Sequence, residues 1–217
     1  MNRTFFTLPT AFPCWTAAAP TAYLSRMTDT PSIRDVLDFW FLPLADPAHG
    51  KPREIWWEPK PEFDAETRER FSAAFERAIA GGLDHWQKSP DGALALILLC
   101  DQFSRNMYRR SAHAFAGDAK ALEAARLALA RGYPASFDRD MRLFFYMPFQ
   151  HSENVADQEL GCTLFSAFDD AELMKHATEH REVVARFGRF PHRNEVLGRI
   201  CSEEELEYLK DAKRYGQ

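Results

Sequence analysis

Ser89-Pro90-Asp91-Gly92-Ala93-Leu94-Ala95-Leu96-Ile97-Leu98-Leu99-Cys100, running on into Asp101-Gln102-Phe103-Ser104-Arg105-Asn106, is the stretch that decides the fold. Ser89 is suited to cap a helix, and Pro90 falls in the first turn, where it has no hydrogen bond to lose. From Ala93 to Cys100 the helix is apolar on every face. Only a helix surrounded by others can bury such a surface, so this one is predicted to lie at the centre. Its polar continuation, Asp101 to Asn106, then enters a core where a charge must be paired or wet.

Helix signals recur on both sides of this element. Ser32 caps Val36, Leu37, Phe39, Trp40 and Phe41, and Pro43 and Pro47 end the run. A Trp/Pro-rich loop with Trp56, Trp57, Pro59 and Pro61 follows. Phe63, Phe71, Phe75, Ala78 and Ile79 share one helix face, closed by Gly81-Gly82. Further on, Asp118 opens an Ala/Leu-rich helix that closes at Gly132. Residues 139–150 and 153–168 read as two helices, or one kinked near Pro148. Another spans Asp170 to Arg186, and Ser202 caps an acidic helix from Glu203 to Lys210. No segment keeps the period-2 alternation of a strand. The expectation is an all-α fold of about eight helices, stacked as antiparallel pairs in a tetratricopeptide-like array.

Residues 1–27 have a different character, with two arginines, no acidic residue, and prolines scattered among aromatics. Pro9 and Pro13 interrupt what a secretory signal needs as a continuous apolar stretch. The segment is read as a disordered extension with Met27 as native start, ahead of a single helical domain over 28–217. The charge of −5 lacks the basic footprint of a nucleic-acid binder. No apolar run approaches the roughly 20 residues that span a bilayer. Cys14, Cys100, Cys162 and Cys201 have no C-x-x-C spacing; buried free thiols, and hence a cytoplasmic setting, are expected.

Four polar clusters interrupt the apolar framework. Asp101 to Arg109 closes the central helix. Gln150-His151-Ser152-Glu153-Asn154 follows Pro148, where a histidine beside carboxylates suits a general base or a metal ligand. His176-Ala177-Thr178-Glu179-His180 matches the inverted zinc-protease pattern, but lacks an evident third ligand. Arg186-Phe187-Gly188-Arg189-Phe190-Pro191-His192-Arg193-Asn194 sets arginines on a loop that Gly and Pro keep from being helical. Guanidiniums held in this way suit planar anions.

Together, Leu37–Phe41, Asp101–Arg109, Phe144–Glu153 and Arg186–Asn194 resemble the motifs of a bacterial family of unknown function, DUF924, over roughly residues 32–210. The resemblance implies a tetratricopeptide-like helical fold and no particular activity. It maps the family pattern onto Asp101, Gln102, Arg105, Asn106 and Tyr108, onto His151, Ser152 and Glu153, and onto His180, Arg181, Arg186, Arg189, His192, Arg193 and Asn194. Two departures stand out: Ser104 replaces a usual proline, and Arg110-Ser111 replaces a Gly-Thr pair.

The leading functional expectation is a cavity lined by Asp101, Gln102, Arg105, Asn106, Tyr108, His151, Glu153, His180, Arg189, His192, Arg193 and Asn194. It would take a small phosphate- or carboxylate-bearing ligand, with no metal or cofactor. A metal-assisted or general acid–base hydrolase using His151, Glu153 and His180 is the alternative. A third reading is a scaffold for a protein partner, unidentified by sequence, whose polar clusters form an internal salt-bridge network.

Overall fold

A computed structural model describes residues 30–212. Contacts divide the chain into Met1–Thr30 and Pro31–Gln217. The extension expected over residues 1–27 lies outside the described residues, as does Cys14. Among the described residues the secondary structure is entirely helical, as the patterning requires. The helices are α1 (Ile33–Phe41), α2 (Pro61–Ile79), α3 (Pro90–Ile97), α4 (Ser104–Met107), α5 (Asp118–Ala130), α6 (Arg139–His151), α7 (Val155–Ser166), α8 (Ala171–Phe187) and α9 (Glu203–Tyr208). Consecutive long helices pack as neighbours, α5 on α6, α6 on α7, and α7 on α8.

Polar side chains set the helix ends. Ser32 accepts from the Asp35 N–H while the Asp35 carboxylate takes the Ser32 N–H, a reciprocal capping box repeated by Ser202 and Glu205 in α9. Ser89 caps α3 through Gly92, and Asp170 caps α8. At its C-terminal end α1 leaves carbonyls without helical partners. Arg53 Nη1 donates to Phe39 O and Trp40 O, both at 2.8 Å, and Trp56 Nε1 donates to Trp40 O at 3.1 Å. These bonds pin the Trp/Pro-rich loop to the core.

The central helix is buried as expected, with Leu94 to Leu99 wholly inaccessible. It does not stop at Cys100. Leu98–Phe103 widens into a π-helix and continues directly into α4. An inserted residue of this kind re-aims side chains and loosens carbonyls from the i→i+4 ladder. Side chains from the next turn satisfy them: Ser104 Oγ donates to Cys100 O at 2.8 Å, and Arg105 Nη1 to Asp101 O at 2.7 Å. Ser104 thus bonds to a loosened carbonyl, a bond that a proline at this position, the residue expected from the resemblance, would lack. The two helices read over 139–150 and 153–168 are present, rather than one helix kinked near Pro148. Pro148 lies inside α6, and the chain turns at Ser152–Asn154, where Asn154 caps α7. Of the described cysteines, all are free; Cys100 is buried, whereas Cys162 and Cys201 are only partly so.

The backbone at Arg110 has a measurable cost. Arg110 is exposed and adopts φ +60°, a left-handed conformation that a glycine accepts freely. Arg110→Gly is expected to raise unfolding free energy by about 0.5–1 kcal/mol. Gly117 is the opposite case: a Cβ there would stand 2.3 Å from Cys100 O in the π-helix. Gly117→Ala should cost about 1–3 kcal/mol. Urea denaturation of both variants checks both signs.

Candidate functional site

A cavity of about 320 Å³ opens where the Trp56–Trp57 loop, the π-helix with α4, the end of α6, and α7 and α8 meet. Ile55, Trp56, Trp57, Met147, Phe165 and Leu173 supply apolar wall. Gln102, Arg105, Asn106, Gln150, His151 and His180 supply polar groups.

The floor is organised around Asp101, which has no solvent exposure. His151 Nδ1 stands 2.6 Å from Asp101 Oδ1, and Gln102 Nε2 donates to Oδ2 at 2.5 Å. Arg105 Nη1 adds an ion pair at 3.3 Å. An ionised carboxylate only accepts, so Nδ1 of His151 must carry its proton toward Asp101. Nε2 is left as the basic nitrogen of a ring that lines the cavity.

Beyond Asp101 the charges continue as a chain. Arg105 holds both oxygens of Asp118, at 2.9 and 3.2 Å, and Arg193 Nη1 meets Asp118 Oδ2 at 3.2 Å. Arg193 lies with its guanidinium over the rings of Phe115 and Phe190, both at 4.6 Å. The same guanidinium donates to His151 O at 3.0 Å, while Gln158 donates to Gln150 O at 2.7 Å. These bonds satisfy carbonyls that the end of α6 leaves open, and so hold Gln150 and His151 in place.

Burial pushes the His151 ring below its ordinary pKa; Asp101 opposes this in part and Arg105 adds to it. The ring is therefore neutral at pH 7. For Asp101, burial acts upward, but His151, Arg105 and the hydrogen bonds outweigh it and hold the carboxyl at about 2. Burial lowers His180 to about 4 and His192 to about 3. It also lowers Arg193, to about 10, which leaves the guanidinium charged at pH 7.

The structure thus brings Gln102, Arg105, Asn106, His151 and His180 to one cavity, with Asp101 behind them. It places the other expected site residues elsewhere. Glu153 takes both donors of Arg199, at 2.7 and 2.9 Å, and the Phe190 N–H. Arg189 grips Glu205 through two bonds at 2.6 and 2.8 Å, fastening its loop to α9. His192 packs against Phe190, Asn194 donates to Cys201 Sγ, and Tyr108 packs among Phe75, His113 and Arg68. His180 Nδ1 turns back to His176 O at 2.8 Å. Among the described residues, no three His, Cys, Asp or Glu side chains form a group that could hold a metal ion. Trp56, Trp57, Met147 and Gln150 are wall residues absent from the expected set. The tryptophan pair in a proline-rich loop was the available signal for the first two.

The frame is all-helical among the described residues, with a histidine–carboxylate pair beside an aromatic-walled cavity. The chain belongs to DUF924, a family of bacterial proteins of unknown function, whose pattern it matches over residues 36–213. A solved structure of a protein of unknown function from Agrobacterium tumefaciens is similar to it, with 38% identity and a TM-score of 0.74. That likeness covers 89% of this chain and all of the other. No curated protein matches the sequence.

The neutral histidines make stability depend on pH. Below about pH 6.5 the unfolded chain's histidines take up protons that His151, His180 and His192 resist in the fold. Folding free energy is therefore full above that pH and falls as pH drops. Each ring steepens the slope by up to ~1.4 kcal/mol per pH unit. Urea melts between about pH 7 and pH 4.5 measure that slope, and His180→Phe is expected to reduce it.

Proposed function

We propose that this protein binds a small molecule in the cavity beside Trp56 and Trp57, with His151 accepting a hydrogen bond from the ligand. The observation that supports this most is the Asp101–His151 pair. A buried carboxylate fixes the tautomer of a neutral ring that lines the cavity, leaving Nε2 as its acceptor nitrogen. The volume falls at the small end of ligand pockets, which run from roughly 300 to 1,000 Å³.

The anionic form of this reading rested on the arginine loop, and here the internal pairing weighs against it. Arg189 is matched by Glu205, Arg199 by Glu153, and Arg105 and Arg193 by Asp101 and Asp118. The hydrolase reading keeps His151 as base, with Asp101 as its orienting partner. The engagement of the Glu153 oxygens by Arg199 and the Phe190 N–H weighs against a role for Glu153 in it.

Fragment screening followed by NMR of the tryptophan indoles tests the proposal. Hits are expected to shift Trp56 and Trp57 and to bind about tenfold more weakly to His151→Phe, the equivalent of one net hydrogen bond. Affinity should hold from pH 8 through the ordinary histidine range and fall only at lower pH, where protonation of the depressed His151 ring turns the acceptor into a donor. Hits that ignore both the substitution and the pH would overturn it.

A further inference from the structure

We infer that the polar end of the ligand is an uncharged diol or polyol, whose adjacent hydroxyl groups donate to side chains that buried carboxylates hold in one orientation. This inference rests on the ligand-binding reading above and gives it a chemical class.

The two carboxamides at the polar wall supply the first support. The nitrogen and oxygen ends of such a group are told apart by their partners. Here the partners are carboxylates, which only accept when ionised. Gln102 Nε2 donates to Asp101 Oδ2 at 2.5 Å, and Asn106 Nδ2 donates to Asp64 Oδ1 at 2.7 Å. Each nitrogen is thereby committed to a carboxylate, and each carbonyl oxygen is turned elsewhere. Neither Gln102 Oε1 nor Asn106 Oδ1 has a partner among the described residues, and neither is sealed from solvent. Both residues line the cavity. His151 repeats the pattern: Nδ1 serves Asp101, and Nε2 is an acceptor with neither a partner nor a seal. Arg105 Nε, open in the same sense, adds a donor to this wall.

Open acceptors on three residues call for a ligand with more than one donor. Adjacent hydroxyl groups supply these, and each can also accept from Arg105. Charge narrows the class further. Arg105 is matched by Asp101 and Asp118, Arg109 by Asp64 at 2.6 Å, and Glu58 stands 3.4 Å from Lys60. A carboxylate would therefore meet acceptors and no surplus positive charge. An ammonium would meet the guanidiniums of Arg105 and Arg109 in the same wall. Both ions would lose hydration without a partner, which is costly. The rest of the lining, with Trp56, Met147, Phe165 and Leu173, suits a small apolar body.

The test compares phenylethanediol, its dimethyl ether, the phenylacetate anion, phenethylammonium and ethylbenzene on the full chain, read by calorimetry and by the Trp56 and Trp57 indole signals. The diol is expected to bind most tightly. Its dimethyl ether, which keeps the oxygens and loses both donors, should bind about tenfold more weakly or worse. Asn106→Leu removes one acceptor while Arg109 still holds Asp64, and should weaken the diol about tenfold. If that variant fails to fold, the ether comparison on the wild-type chain decides alone. Equal binding of the diol and its ether, or tightest binding of the anion or the ammonium, sinks the polyol inference while the cavity reading stands. If no probe moves either indole, both fall.

Discussion

Everything in the polar half of this molecule depends on one carboxylate placed where water cannot reach it. Asp101 has no exposure, so its charge is tolerable only because donors surround it: the His151 ring, the Gln102 amide and the Arg105 guanidinium. Breaking such an arrangement on one side leaves an uncompensated buried charge, at a cost of about 3–5 kcal/mol. The demand propagates. Arg105 needs Asp118, Asp118 meets Arg193, and Arg193 reaches the carbonyl of His151, so the chain of charges that starts at Asp101 returns to the residue bonded to it. A ring of mutual satisfaction is stiffer than its separate bonds, because no member can turn without stranding another.

The π-helix is what brings the carboxylate to its partners. The central helix is apolar on all sides for two turns and must then deliver a charge, a pair of amides and a guanidinium to one place. The widened turn from Leu98 to Phe103 re-aims these side chains without ending the helix. Ser104 and Arg105 satisfy the carbonyls it loosens. Fold and site are therefore products of the same local irregularity.

The helical frame was legible because its signals are local. Ser32, Ser89, Asp170 and Ser202 each bond within their own first turn, and the apolar run of the central helix has a single physical solution. Half of the site was legible for a related reason: buried polar residues such as Asp101 and His151 stand out against an apolar background. The pairing of arginines was not legible. Which carboxylate meets Arg189 or Arg193 depends on contacts 16 and 75 residues apart, and no spacing rule encodes them. The π-helix was hidden too, since one inserted residue leaves the apolar pattern intact. Trp56 and Trp57 entered the wall through Arg53 and Trp56 bonding to the end of α1, a tertiary event that reads in sequence as an ordinary loop.

The end of α6 carries a consequence in time. His151 has its carbonyl met by a residue 42 positions later, and Glu153 finds its partner 46 positions later, at Arg199. A chain made from its N-terminus releases α1 to α8 first and these late partners after them. During synthesis the Asp101–His151 pair can form as soon as α6 has emerged. The carbonyl beneath the histidine stays open to water until Arg193 follows. The helical scaffold can thus precede the finished floor of the cavity, and a nascent chain lacking its final segment would hold the charges but not their closure.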